Sequence, residues 1–180
     1  YRRQAIIEAG YLSDRNLHGY EEFDLGVRLR ANGWRLYRLD TRFVQHFGYR
    51  TGAYRLLLRR WRSKYLRGIG EMLRASWGKS HWWTLISEVR ELRLWAAVYA
   101  GLAALVLTLT LIPDKFMAFL SCVLAIAGVV GVMSIKHRSL KLGLYAVTTW
   151  LFVAAALPLG FFAPRRSPEA WINSHVLHDL

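Results

Sequence analysis

Two textures divide the chain near residue 93. Beyond it, apolar residues run almost unbroken: Leu94 to Ile112, Phe116 to Ile135 and Leu142 to Phe162 contain no charged side chain. Each holds about 19 to 21 residues, and at about 1.5 Å of rise per residue such a helix covers the hydrocarbon thickness of a bilayer. Residues 94–163 therefore read as three transmembrane helices, at about 94–112, 116–135 and 142–162, with residues 164–180 as a polar tail. Upstream, the apolar period shortens to three and four. Tyr54, Leu57, Leu58, Trp61, Tyr65, Ile69 and Met72 alternate with Arg55, Arg59, Arg62 and Arg67, the pattern of a helix lying on a membrane surface. A second amphipathic stretch, Ser80 to Arg93, carries Trp82 and Trp83 near its start and Glu88, Arg90 and Glu91 later, as a headgroup-level helix would. Residues 53–93 are thus expected to form interfacial helices.

Residues 1–52 have a mixed α/β texture. Arg2 to Ala9 suits a short helix closed by Gly10, and Tyr20 to Asn32 a longer one closed by Gly33. Trp34 to Leu39 reads as a strand, and Arg42 to His46 as a second short one. The acids Glu21, Glu22 and Asp24 open the second helix. Unpaired backbone amides and the macrodipole stabilise negative charge there, so helix-end electrostatics alone accounts for them. The competing reading is catalytic, because three carboxylates this close repel one another unless solvent, cations or a reaction employs them.

Charge sharpens the division. The 180 residues carry 25 Lys and Arg against 12 Asp and Glu, and most of the excess lies before Leu94, so the front is basic and the rear is oily. Arginines interleaved with Leu and Trp directly before membrane spans favour anionic lipid over nucleic acid as the polyanion they meet. Lys136, His137, Arg138 and Lys141 make the second connector basic, whereas Pro113-Asp114-Lys115 is near neutral. By the positive-inside rule the front half and second connector face the cytoplasm, the first connector faces out, and three crossings leave the tail outside. Arg165 and Arg166 sit awkwardly on that outer side. The single cysteine, Cys122, lies within an apolar run and supplies neither a disulfide framework nor a thiolate metal site.

Several spaced residues between about 2 and 70 carry a resemblance. Arg3, Gly10-Tyr11, Tyr20-Glu21-Glu22-Phe23-Asp24-Leu25, Arg28-Leu29, Gly33-Trp34-Arg35-Leu36 and Val44-Gln45-His46 together resemble the carboxyl-terminal part of the catalytic domain of family 2 glycosyltransferases. The resemblance implies a GT-A α/β fragment, followed by interfacial helices and three transmembrane helices. It implies a membrane-bound inverting transferase, moving a sugar from a nucleotide-sugar donor to a lipid-linked or membrane-proximal glycan acceptor. Glu22 matches the catalytic base, Glu21 the acid before it, and Asp24 the next acid and an alternative base. His46 matches a histidine beside a Mn²⁺ or Mg²⁺ ion. The family usually has Asp where this chain has Glu22. Its donor-binding half, with an Asp-x-Asp metal motif, would precede Tyr1, so the fragment alone is expected to be inactive.

Processive synthases of that family carry Gln-x-x-Arg-Trp on an interfacial helix. The matching positions are Leu57, Arg60 and Trp61, so Arg-Trp is kept and Gln is not. Arg60, with Arg59 beside it, is the expected diphosphate contact. Trp61 is either a platform for a sugar or an interfacial anchor. The expected setting is an integral protein of a bacterial inner membrane with its catalytic part cytoplasmic, in contact with lipid and forming a homodimer. A non-catalytic basic scaffold and a processive polysaccharide synthase subunit are the competing readings.

Overall fold

The computed structural model describes residues 1–41, 44–45 and 51–171. Among them the regular structure is helical: α1 (Arg3–Glu8), α2 (Glu21–Ala31), α3 (Ala53–Arg62), a 3-10 turn (Tyr65–Arg67), α4 (Gly68–Ser76), α5 (Trp82–Glu88), α6 (Glu91–Leu111), α7 (Lys115–His137) and α8 (Leu140–Phe161). Among the described residues the expected α/β fragment is not present. Trp34 to Leu39 is irregular and largely exposed, and the described residues contain no strand with which it could pair. Alternation alone could not make a sheet there, since a strand needs a partner for its backbone groups. Of the second expected strand, Arg42, Phe43 and His46 lie outside the described residues.

The front half is held by two apolar clusters. Ala5 and Ala9 of the α1 segment pack on Leu25 and Leu29 of α2, with Ile6 and Trp34 at the margin. Leu17 and Val27 join Ile69, Met72 and Leu73 of α4, Leu85 of α5 and Val89 in the larger cluster, against which Leu157 and Phe161 of α8 pack. The periodic stretch expected as one interfacial helix is broken in two. Lys64 adopts a left-handed conformation (φ 63°), and the chain turns there from α3 into the 3-10 turn. The break lets α3 and α4 follow different portions of the same neighbour.

That neighbour is α8. Tyr54 meets the Tyr145 ring edge-on at 5.2 Å and Trp61 meets Phe152 at 5.3 Å, so α3 runs alongside the first half of α8. At the far half, α4 and α8 touch backbone to backbone. A Cβ added to Gly70 would strike the Leu157 carbonyl, and one on Gly160 would strike the carbonyl of Arg67. Contact this close requires glycine on both surfaces. Trp77 completes the junction, its ring 5.0 Å from Trp82 and 5.4 Å from Phe161.

Helices α6, α7 and α8 are the three long and apolar enough to cross a membrane. Asp114 caps α7 by accepting from the backbone amides of Phe116 and Met117 at 2.9 and 3.1 Å, and Lys115 donates to the Leu109 and Ile112 carbonyls that end α6. These side chains make the connector between α6 and α7 tight. The first residues of the tail contact the front half. Arg165 pairs with Asp14 and donates to the Glu71 carbonyl, the Arg166 amide donates to Asn16 Oδ1 at 2.9 Å, and Arg15 donates to the Ala170 carbonyl at 3.1 Å.

Gly70→Leu should drive α4 and α8 apart, at an overpacking cost of about 1 to 3 kcal/mol. Thermal unfolding in detergent is expected to move several degrees downward, whereas Gly128→Leu, on an open face of α7, should leave it nearly unchanged.

Candidate functional site

Helix α2 begins under strain. Tyr20 sits at its amino-terminal boundary in the left-handed region (φ 71°, ψ 19°), with no side-chain cap on the first turn. Non-glycine residues seldom hold that conformation without surrounding constraint, and such positions cluster at functional sites. The constraint comes from the 3-10 turn. The Tyr65 ring packs on Gly19, and a Cβ on Gly68 would stand 2.9 Å from the Gly19 carbonyl. Tyr20 is half-buried against the larger apolar cluster, and beside it an open groove forms, lined by Tyr20, Glu22, Phe23, Leu36, Arg38 and Tyr65. Burial, followed by the charge of Glu91, raises the Tyr20 phenol above its ordinary 10.0.

The three acids of the first turn separate. Glu22 is exposed on the groove, and Glu21 is half-buried beside it. Asp24 is not among the lining residues. It is only 2 % exposed and accepts from Arg28 Nε at 2.9 Å. Arg28 Nη1 donates to the Ala9 and Tyr11 carbonyls at 2.8 and 2.6 Å, and its guanidinium lies 3.8 Å from the centre of the Tyr11 ring. Burial raises the Asp24 carboxyl above its ordinary 3.8, and the nearby Arg28 charge offsets part of the rise. Asp24 is thus the electrostatic centre of the α1–α2 junction. Its neighbour His81 is pushed below its ordinary 6.5, first by burial and in smaller part by the charges of Arg28 and Lys79.

A second polar node ties α4 to the loop before α2. Glu71, 3 % exposed, accepts from the His18 amide at 2.9 Å and meets His18 Nδ1 at 2.8 Å. At the outer edge, Arg30 forks onto Glu88 with two bonds of 2.6 Å, joining α2 to α5 and holding the Glu88 carboxyl below its ordinary value.

Of the expected diphosphate contacts, Arg60 has its guanidinium 5.4 Å from the Tyr65 ring. Tyr65 also lines the groove, so Arg60 and Glu22 are connected through that one ring. Arg59 is exposed on α3, and Trp61 rests against Phe152 of α8. His46 lies outside the described residues. Among the described residues no three His, Cys, Asp or Glu gather as a ligand set for Mn²⁺ or Mg²⁺. Neither Arg38 nor Tyr65 stands out as a site residue in the sequence, where Tyr65 falls on the apolar face of one periodic stretch. Tyr65 is placed by the break at Lys64 rather than by helical period, and Arg38 belongs to a segment read as a strand.

No family model matches the chain, and no curated protein or solved structure matches it. These comparisons lend no support to the glycosyltransferase resemblance, which rests on the spaced residues alone.

Arg28→Ala would leave Asp24 buried and unpaired, a change that costs about 3 to 5 kcal/mol. Chemical denaturation in detergent should register a loss of that size, whereas the Arg28→Ala/Asp24→Leu double variant should recover a large part of it. His81 adds a pH dependence of definite sign. Its folded pKa lies below 6.5, so the unfolded chain binds more protons within that window. Stability is full above 6.5 and falls as pH drops through the window. His81→Asn is expected to flatten that slope in melting curves taken between pH 7.5 and 5.

Proposed function

We propose that this chain is part of a membrane-bound inverting glycosyltransferase, with Glu22 as the base that activates the acceptor. The observation that carries the reading is the groove. An exposed carboxylate opens into a cleft walled by Tyr20, Phe23 and Tyr65, with Arg38 on its margin. Aromatic faces and a carboxylate suit a sugar hydroxyl, since rings pack on the apolar faces of pyranoses while the carboxylate accepts from the hydroxyl. The groove adjoins the helices that pack on α8, so an acceptor held at the headgroup level would reach it.

In the proposed step the acceptor hydroxyl hydrogen-bonds to Glu22. Its oxygen attacks the anomeric carbon of the nucleotide sugar, and the new C–O bond forms as the bond to the nucleoside diphosphate breaks. The hydroxyl proton passes to Glu22, and the diphosphate leaves with the electron pair. Arg38 and Arg60 supply positive charge near the departing group, where preorganised cations lower the barrier. The described residues do not assemble a divalent-ion site, and no part of this step is assigned to one. Asp24, engaged by Arg28, positions α2 and takes no proton from substrate.

The test uses the intact protein in membranes, with a panel of radiolabelled UDP- and GDP-sugars and native lipid extract as acceptor. Glu22→Gln should lower transfer by about 10² to 10⁴ while donor affinity stays within about twofold. Glu21→Gln should retain most activity. Equal turnover by Glu22→Gln and the parent would overturn the assignment, and an absence of transfer by the parent from every donor would favour a non-catalytic scaffold.

A further inference from the structure

The three apolar helices cannot all cross the bilayer while the tail keeps the contacts described above. A chain that makes an odd number of crossings ends on the side opposite to its start. Here the residues after α8 are bonded to the residues before α2. Asp14, 1 % exposed, pairs with Arg165, and Asn16 both accepts from the Arg166 amide and donates to the Arg166 carbonyl at 2.8 Å. The tail therefore shares a side with the front half, and the number of crossings between them is even.

The helix that does not cross is identified by its neighbours. Along α8, Tyr145 and Phe152 meet α3, Leu157 and Gly160 meet α4 and the 3-10 turn, and Phe161 meets Trp77. From Tyr145 to Gly160 this is about 22 Å of helix lying along the amphipathic elements. Those elements carry Arg55, Arg59, Arg62 and Arg74 on exposed positions. Guanidinium groups in such numbers cannot be drawn through hydrocarbon and stay in water or among headgroups. A helix packed along α3 and α4 for most of its length is kept at the same depth. Composition agrees, because α8 has a mean hydropathy of 1.8, against 2.0 for α6 and 2.5 for α7, and the largest buried share of the three.

We infer that α6 and α7 are the membrane hairpin, and that α8 lies in the interfacial layer beneath α3 and α4, its outer face turned to the lipid acyl chains and its ends returned to the front-half side. The arrangement puts Lys136, His137, Arg138, Lys141, Arg165 and Arg166 on the side of the basic front half and leaves the near-neutral Pro113-Asp114-Lys115 connector alone on the other. That is the distribution the positive-inside rule favours, and Arg165 and Arg166 cease to be exceptions to it. Helix α8 then has α3 and α4 on one side and α7, α6 and lipid on the other.

Single cysteines placed in the full chain on a Cys122→Ser background test the arrangement. Lys79→Cys reports the front half, Pro113→Cys the first connector, His137→Cys the second, and Ser167→Cys and Glu169→Cys the tail. Sealed membrane vesicles are treated with a membrane-impermeant maleimide before and after permeabilisation, and labelling in denaturant gives the total thiol. The expected result is that positions 79, 137, 167 and 169 label in the same vesicle orientation and position 113 in the opposite one. Tail positions that label with 113 would restore three crossings and overturn the inference. So would positions 113 and 79 labelling together with 137 opposite, which would make α7 and α8 the hairpin.

Discussion

The close approach of α4 and α8, glycine against backbone, is the constraint on which the remaining architecture depends. Gly70 and Gly160 bring two helix backbones together where any side chain would hold them apart. Once they touch, Leu157 and Phe161 reach the cluster around Met72 and Leu85, and the residues that follow α8 emerge beside Asp14. Among the described residues the front half has no sheet to organise it. Its order is borrowed from a long apolar helix that serves as a template for α3, the 3-10 turn and α4.

Polar contacts then fix what apolar packing leaves adjustable. Asp14, Asp24 and Glu71 are all buried acids, and each has a basic partner: Arg165, Arg28 and His18 in turn. In a chain with a strong cationic excess these acids are the scarce charge, and withdrawing them from water draws particular cations to particular places. Glu22 has no such assignment and faces the open groove. One helix turn thus contains both a carboxylate committed to structure and one left accessible to solvent.

Much of the helical framework was legible in the sequence. The three apolar segments appear within a few residues of their expected bounds, and α1 and α2 end just before Gly10 and Gly33, both with positive φ. Periodicity carries that information because a helix satisfies its own backbone. The expected strands failed for the converse reason: Trp34 to Leu39 alternates, but a strand depends on a partner that local sequence does not specify. Helix-end electrostatics and catalysis were both open for the first-turn acids, and their fates diverge because Asp24 meets Arg28 one turn along whereas Glu22 faces outward. The groove itself could not be read from pattern. It is made by Tyr65 reaching Gly19, a contact between segments far apart in the chain, and by a left-handed Lys64 that no hydrophobic period announces.

The pairing of Asp14 with Arg165 spans a sequence separation of 151 residues, and it imposes an order on biosynthesis. An acid that ends nearly sealed from water must wait, hydrated and unmatched, while three oily helices are made. Only when residue 165 has left the ribosome can that pair close. During that interval the early segment is an unfinished surface, and the speed with which the later helices settle determines how long a chaperone or protease has access to it.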